Sequence, residues 1–388
     1  MSALGEDATL DEDVITEILL RLPCTSVLRS RAVCKACHRI TTDPSFLAAH
    51  AERRAAELLV VSAEPRWDYE DRLDTIPLSL RADDVPAGRR RELHYPEHCD
   101  VHLLVGCCDG LLLFLLDRFP PGQCCSYFFV CNPVTRQGTW LDLMPPACRG
   151  NLLALCGFYR HGPSGEHRFL VLANERQIPK IPTNMPFVTG SAAHYVFNFS
   201  AATVSSEAPR RLGPVPENVL VKPYCSQNQP PRHLYHRGKL HWTTHPQATS
   251  TGKTEFRLIS CPEWPRGRYS YLHDLCLMEL HDRLAITTTL LCGDFMELWM
   301  LEDYDGDDRS WSHRFRIQLP PPFCVRWTMG TGIPNVILVG SYMEKLAAVY
   351  HLNENWSVEK IGFINSNTPA RHFLFKESLV PHAFFDPY

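Results

Sequence analysis

No run of eighteen apolar residues occurs in the chain, so no part of its sequence reads as a bilayer-spanning helix. The opening MSALGEDATL lacks the positive start and apolar centre of an export signal. An excess of one charge is missing too. With 39 Lys and Arg against 43 Asp and Glu, the formal net charge is -4, and there is neither a broad basic field for nucleic acid nor an acidic tail. The expectation is a soluble intracellular protein, cytoplasmic and/or nuclear, with no nucleic-acid and no membrane partner.

Motifs that carry chemistry are equally scarce. Gly330-Thr-Gly332 has no third glycine of a dinucleotide fingerprint, and neither G-x-S-x-G nor a phosphate loop occurs. Cys34-Lys-Ala-Cys37 has the spacing of half a zinc site, but four ligands are needed and no second C-x-x-C follows at finger spacing. The acidic stretch Asp303 to Asp308 misplaces the glycine and the twelfth-position glutamate of a calcium loop, and reads as a hairpin turn between strands around Trp299 and Phe315. His233, His236, His241 and His245 lie close together, yet His241 alternates with apolar residues as on a strand, and the group reads as ordinary side-chain use. The run Arg89-Arg90-Arg91 reads as a solvated loop, with a nuclear localisation patch as the alternative. No catalytic residue, cofactor or metal is therefore expected.

Cysteine is plentiful instead, at sixteen, but the residues are spread through a long chain without an export signal and are expected to be reduced. The sequons at Asn198 and Asn355 are then expected to stay unmodified. The vicinal pairs Cys107-Cys108 and Cys124-Cys125 alternate faces if extended, and are expected to divide between core and surface. Trp242, Trp299, Trp311 and Trp327 are expected to serve packing.

The most patterned stretch runs from Thr9 to Arg54. Thr9 and Glu12 have the spacing of a capping box, and Asp11 to Asp13 suit the positive end of a helix. Val14, Ile15, Ile18, Leu19 and Leu22 form one apolar stripe of roughly three turns, which Pro23 ends. Further helices are predicted over Ser26 to Val33 and Cys34 to Ile40. A fourth follows the Asp43-Pro44 start signal and carries Phe46, Leu47 and Leu58. Four such short helices bury little surface among themselves, which marks the unit as one that docks on something else.

These residues resemble an F-box: Leu10, then Val14-Ile15-x-x-Ile18-Leu19-x-Arg21-Leu22-Pro23, then Ser26 to Lys35, then Asp43-Pro44-x-Phe46. Two positions depart from the family pattern. Asp11 stands in place of a proline, and Cys37 in place of a tryptophan, which removes core volume there. The resemblance implies docking on a Skp-family adaptor through Leu10, Ile18, Leu19, Leu22, Pro23, Leu28 and Val33.

From Leu58 onward the texture changes to short apolar runs separated by Gly, Pro, Asn and Asp, such as Gly110 to Phe114, Phe169 to Leu172 and Val336 to Val339. This predicts an all-β domain. Gly110-x-Leu112, Gly238-x-Leu240 and Asp282-x-Leu284 open similar strands at separations of 128 and 44 residues, consistent with a repeat of about 43. Counted from Val101, that period predicts a β-propeller of six or seven blades, with a two-sheet sandwich as the alternative.

The blocks Val105 to Phe114, Cys131-Asn-Pro-Val-Thr-Arg-Gln137, Cys156 to Tyr159, Gly238 to Trp242, Glu297 to Tyr304 and Lys376-Glu-Ser-Leu379 are similar to the F-box-associated region of land-plant F-box proteins. In the second block Asn132-Pro133 should form a turn, with Thr135 and Arg136 tying it to neighbouring backbone. The predicted organisation is an F-box helical module over 8–57, a first strand and linker over 58–100, and an F-box-associated β domain over 101–388. The resemblance implies a non-catalytic substrate receptor of an SCF-type ubiquitin ligase, linked through the adaptor to a cullin and holding an unknown target. An adaptor-bound scaffold without degradation, and an enzyme built on the β domain, are the alternatives.

Overall fold

The computed structural model describes residues 11–63, 71–78, 91–95, 104–118, 125–141, 152–174, 192–199, 209–214, 233–242, 274–289, 295–306, 310–319, 327–341, 346–352, 358–362, 372–382 and 384–385. Leu10, Thr9, Arg89, Arg90, Cys124, His245 and the Asn355 sequon lie outside them.

Four helices come first. α1 (Glu12–Arg21) starts after Asp11 with Glu12 and Asp13 in its first turn, and it stops at Leu22. Asp11 occupies the cap position but makes no side-chain cap bond, so dipole complementarity rather than a capping box supports this end. α2 (Cys24–Ser30) begins earlier than expected because Pro23, with φ at -58, is itself the entry into the helix. α3 (Lys35–Thr42) is capped by Cys34, whose sulfur accepts the Cys37 amide. α4 (Pro44–Arg53) has the start its sequence announces: Asp43 Oδ1 accepts from the amides of Ser45 and Phe46 at 2.8 and 3.3 Å. It ends before Leu58, which is buried in the first strand instead of lying on the helix.

The strands follow as antiparallel sheets in chain order. β1 (Glu57–Ala63), β2 (Asp71–Pro77) and β3 (Arg91–Glu92) come first, so the stretch expected to be mostly linker supplies three strands. The second sheet is β4 (Leu104–Cys108), β5 (Leu111–Arg118), β6 (Cys125–Asn132) and β7 (Gln137–Leu141). The third is β8 (Leu152–Arg160), β9 (His167–Asn174), β10 (Ala192–Phe199) and β11 (Arg210–Pro214). A two-stranded hairpin, β12 (His233–His236) and β13 (Lys239–Trp242), comes next. Two more sheets are β14 (Asp274–Leu280), β15 (Arg283–Thr289), β16 (Phe295–Leu301) and β17 (Trp311–Gln318), then β18 (Trp327–Gly330), β19 (Val336–Ser341), β20 (Leu346–His351) and β21 (Val358–Gly362). The last strand, β22 (His372–Phe375), returns to pair with β1, Leu58 opposite Leu374, and completes the first sheet in the order β22-β1-β2-β3.

The leading strands β22, β4, β8, β12, β14 and β18 neighbour one another in turn. Apolar contact between β1 and β19, through Leu58, Val60, Val336 and Leu338, closes the ring. Among the described residues the domain is an all-β propeller with five four-stranded blades, not the six or seven expected, and the two-stranded hairpin β12–β13 stands in the ring between β8 and β14. The count ran high because the intervals between blades are unequal, β4 and β8 beginning 48 residues apart but β8 and β14 122 apart; the blade begun by β1 before Val101 would have raised it further.

The sequence repeat has a structural cause. Gly110, Gly238 and Asp282 are each the second residue of a two-residue hairpin turn after a blade's leading strand. The pairs Asp109-Gly110, Arg237-Gly238 and His281-Asp282 all have positive φ, between 46 and 80°. Such turns match the twist of paired strands, and glycine enters them at low steric cost. Leu111 to Phe114 are all fully buried because neighbouring blades cover both faces of the sheet, which explains a continuous apolar run in place of alternation.

Candidate functional site

The helices have two differently treated apolar faces. Leu19, Leu20, Cys24, Val27, Phe46 and Leu47 are buried in one cluster with Leu59, Leu73, Leu93, Leu112 and Phe375 of the propeller, so the helical core continues into the first blades. His50 is fully buried between them, and its Nε2–H donates to the Leu22 carbonyl at 2.9 Å, where Arg54 also donates at 2.8 Å. These two donors satisfy the exposed end of α1. Burial, followed by the positive charge of Arg54 among opposing influences, lowers the His50 pKa and favours the neutral ring.

The other face stays open. Val14 is 46%, Ile18 49% and Val33 75% exposed, and among the described residues the one other large exposed apolar side chain is Ile333, on the propeller. Of the residues expected to meet an adaptor, Ile18, Pro23 and Val33 are exposed, while Leu22 and Leu28 are half-buried. Leu19 departs from expectation. At one residue beyond Ile18 it is turned about 100° around α1 into the core, where it supports the face instead of forming it. Val14 lies one turn before Ile18 on the same side and is exposed with it.

The segment after β22 joins the two units. Glu377, almost fully buried, pairs with Arg91, which also reaches Glu57 at 3.0 Å. Burial works against the Arg91 charge, but Glu377 and Glu57 hold it above its ordinary pKa. Lys376 Nζ donates to the Glu52 carbonyl of α4 at 3.0 Å, and Leu379 enters the shared core. Asn132 binds this segment from the second blade: its Nδ2 donates to the Ser378 carbonyl at 3.0 Å, while its Oδ1 accepts from the Val134 and Thr135 amides at 2.9 and 3.2 Å. The tie therefore comes from Asn132, not from the Thr135 and Arg136 side chains; Arg136 is exposed and takes a positive φ of 60°. Two sequence blocks separated by 246 residues thus meet at one hydrogen bond.

Inside the ring the leading strands surround a cavity of about 850 Å³, lined by Cys107, Phe158, Tyr159, Tyr235, Met278 and Thr328 among others. Cys107 and Cys108 are both half-buried here, and do not divide between core and surface, because this strand faces the channel on one side and a blade on the other. Burial pushes both thiols up, and Cys107 Sγ donates to the Leu374 carbonyl at 3.3 Å.

Of the histidine group, the His236 and His241 rings lie 6.2 Å apart, and both pack against the Tyr304 ring. His236 Nδ1 meets Glu279 Oε2 at 3.0 Å, whereas His241 Nε2 meets the Tyr304 hydroxyl at 3.0 Å. Among the described residues, two groups bring three possible metal ligands within 4.8 Å: Cys108, Asp109 and His167, and His236, Glu279 and Asp282. Each already holds a countercharge, since Arg160 lies 3.8 Å from Asp109 and Arg237 2.9 Å from Asp282. Neither includes Cys34 or Cys37. The acidic stretch after β16 is the hairpin expected, with β16 paired to β17 and Asp303 Oδ1 accepting the Gly306 amide at 2.8 Å.

A helical module with one face fused to a propeller and the other left apolar and open is the architecture of a docking protein. Residues 9–48 match the F-box domain model. A putative F-box protein of Arabidopsis thaliana is 30% identical over 148 residues, 37% of this chain and 53% of that one. A putative F-box/kelch-repeat protein of the same plant is 28% identical over 132 residues, 34% of this chain and 32% of that one. The matched stretches thus span about half of the first relative and about a third of the second. A crystal structure of a putative 6-phosphogluconolactonase from Bacteroides fragilis aligns over 83% of this chain and 98% of its own, at 9% identity and a TM-score of 0.39, a distant likeness. Residues 9–48 thus carry an F-box, and the chain is similar to Arabidopsis F-box proteins and has a C-terminal β-propeller-like domain.

Proposed function

We propose that this protein is the substrate-recognition subunit of an SCF-type ubiquitin ligase. The F-box implies binding to a Skp-family adaptor, and through it to a cullin, while the propeller holds a target. The observation that carries this reading is the exposure of Val14, Ile18 and Val33 on a module whose opposite side is sealed against its own propeller. Covering what remains exposed of each is worth on the order of 1 kcal/mol. Leu22, Pro23 and Leu28 border this face, and Leu10 belongs to the same docking set.

The receptor itself makes and breaks no bonds. It raises the local concentration of target lysines near a charged ubiquitin, and the rate gain is one of effective concentration. A rigid link between module and propeller serves that role, because a target held on the β domain then keeps a fixed distance from the adaptor. The helical module and the β domain divide the work, and no cofactor or metal is called for.

Ile18→Asp and Val33→Asp place a carboxylate where apolar contact is needed and disturb no core packing. Each should weaken co-purification with a Skp-family adaptor by about 100-fold, the loss of an interface hot spot, with circular dichroism and the unfolding midpoint unchanged. Full adaptor retention by both variants would refute the assignment. Stabilisation of a specific protein on knockout, read by quantitative proteomics, separates a degradative receptor from an adaptor-bound scaffold.

A further inference from the structure

The place where Cys37 replaces the family tryptophan has a chemistry of its own. Cys34 is the N-cap of α3 and Cys37 lies in the helix's first turn, so the two side chains sit on the same end of one helix. The Cys37 amide donates to Cys34 Sγ at 3.3 Å. Residues three apart at a helix start bring their Cα atoms within the span a disulfide bridges. Cys34 is exposed, Cys37 is half-buried, and both are free thiols.

The two sulfurs are differentiated. The Cys37 amide and thiol hold Cys34 below the ordinary thiol range, while the neighbouring Cys34 sulfur, with burial second, pushes Cys37 up. One attacking thiolate with a protonated partner beside it is the arrangement that thiol–disulfide exchange uses. Val33, the most exposed apolar residue of the docking face, directly precedes Cys34.

We propose that Cys34 and Cys37 form a redox-active pair that closes to a disulfide with glutathione disulfide and thereby weakens docking at Val33. The Cys34 thiolate attacks one sulfur of glutathione disulfide, whose S–S bond breaks and releases one glutathione thiolate, protonated from solvent. The Cys37 thiol gives its proton to solvent, and its sulfur attacks Cys34 and expels the second glutathione. Two protein thiols are oxidised and one glutathione disulfide is reduced to two thiols. Closure draws Cys34 Sγ from the Cys37 amide to the Cys37 sulfur, uncapping α3 next to Val33. The thiol chemistry stands on this geometry alone; the docking consequence rests on the receptor reading above.

The test uses the full-length reduced chain, treated with glutathione disulfide, quenched with N-ethylmaleimide and digested with trypsin. The expected product is the peptide Ala32–Lys35 joined to Ala36–Arg39. In Cys37→Ser, a glutathione adduct on Cys34 should accumulate instead. Before oxidation, iodoacetamide at neutral pH should label Cys34 about tenfold faster than Cys37. Equal labelling with no joined peptide overturns the proposal. In the second arm, the oxidised chain should bind a Skp-family adaptor roughly fivefold more weakly than the reduced chain, the scale of one lost interface contact, and Cys34→Ser, which keeps a capping oxygen and has no thiol to attack glutathione disulfide at that position, should show no such change. Equal binding by the two forms once the joined peptide is present overturns the docking half. Failure of the reduced chain to bind refutes the receptor reading, and the presence or absence of the joined peptide then decides the thiol chemistry by itself.

Discussion

Replacing Asn132 with alanine tests how the C-terminal segment is held. The side chain is fully buried and makes three hydrogen bonds, one donated to Ser378 and two accepted from Val134 and Thr135. Truncation leaves a buried Val134 amide, a partly buried Thr135 amide and the carbonyl of the nearly buried Ser378 without this partner. An unsatisfied buried group costs about 1–3 kcal/mol. Water reaching the Thr135 amide reduces its share, so the expected loss is about 3–5 kcal/mol, a large part of a domain's usual stability. Urea unfolding at neutral pH is the assay, and the midpoint should fall while the slope holds. Because Ser378 lies between Glu377 and Leu379, which anchor the segment to Arg91 and to the helical core, cleavage near residue 376 under limited proteolysis should accelerate as well. Thr135→Ala is the control, with an expected change within about 0.5 kcal/mol. A loss below about 1 kcal/mol for Asn132→Ala, or an equal loss for Thr135→Ala, would refute the reasoning.

Two further outcomes follow from the turns and the buried histidines. Gly110→Ala and Gly238→Ala meet similar backbone strain, φ being 80 and 77°, but only at Gly110 does a new Cβ fall 2.6 Å from Ser378 Cβ and 2.9 Å from its amide. Gly238→Ala should cost about 1 kcal/mol and Gly110→Ala about 2–3 kcal/mol more, measured as denaturant midpoints; equal costs would deny the close approach. Burial pushes the pKa of His194 down to about 4, and burial together with nearby His167 does the same to His382. Both rings are therefore neutral in the fold and protonate first in the unfolded chain. Their contribution is complete above about pH 6.5 and is lost as pH falls from there toward 4, at about 1.4 kcal/mol per pH unit for each group. His194→Gln should remove about half of this slope between pH 6 and 5; an unchanged slope would show that His194 is not the group responsible.

Much of this was legible where a local rule decides the outcome. Asp43-Pro44 starts α4 because the cap is a short-range bond. The glycine and aspartate of the repeat mark true turns because a positive φ selects few residue types. The existence of a docking face was readable from helices too short to bury their own stripe. Its membership was less so: Leu19 and Ile18 are adjacent, both apolar, and assigned to opposite sides by a propeller packed against the helices, which no local pattern reports. The blade count failed because a mean period does not report the unequal intervals between blades. The strand that completes the first blade lies at the other end of the sequence, and nothing near Leu58 announces it. The bond from Asn132 to Ser378 was likewise hidden, although each of the two blocks stands out separately in the sequence.

The pairing of β22 with β1 makes the ring a clasp that joins the first and last of the described strands. Arg91, paired with Glu57 nearby, gains its second carboxylate from Glu377, 286 residues later, and Leu59 and Leu73 wait for Phe375 before their cluster is complete. Folding of this chain is thus governed by contacts of very long sequence separation, which close slowly. The helical module precedes β1 in the chain, yet the core it shares with the propeller is complete only once β22 has paired, so loss of β22 would leave the module without its propeller support.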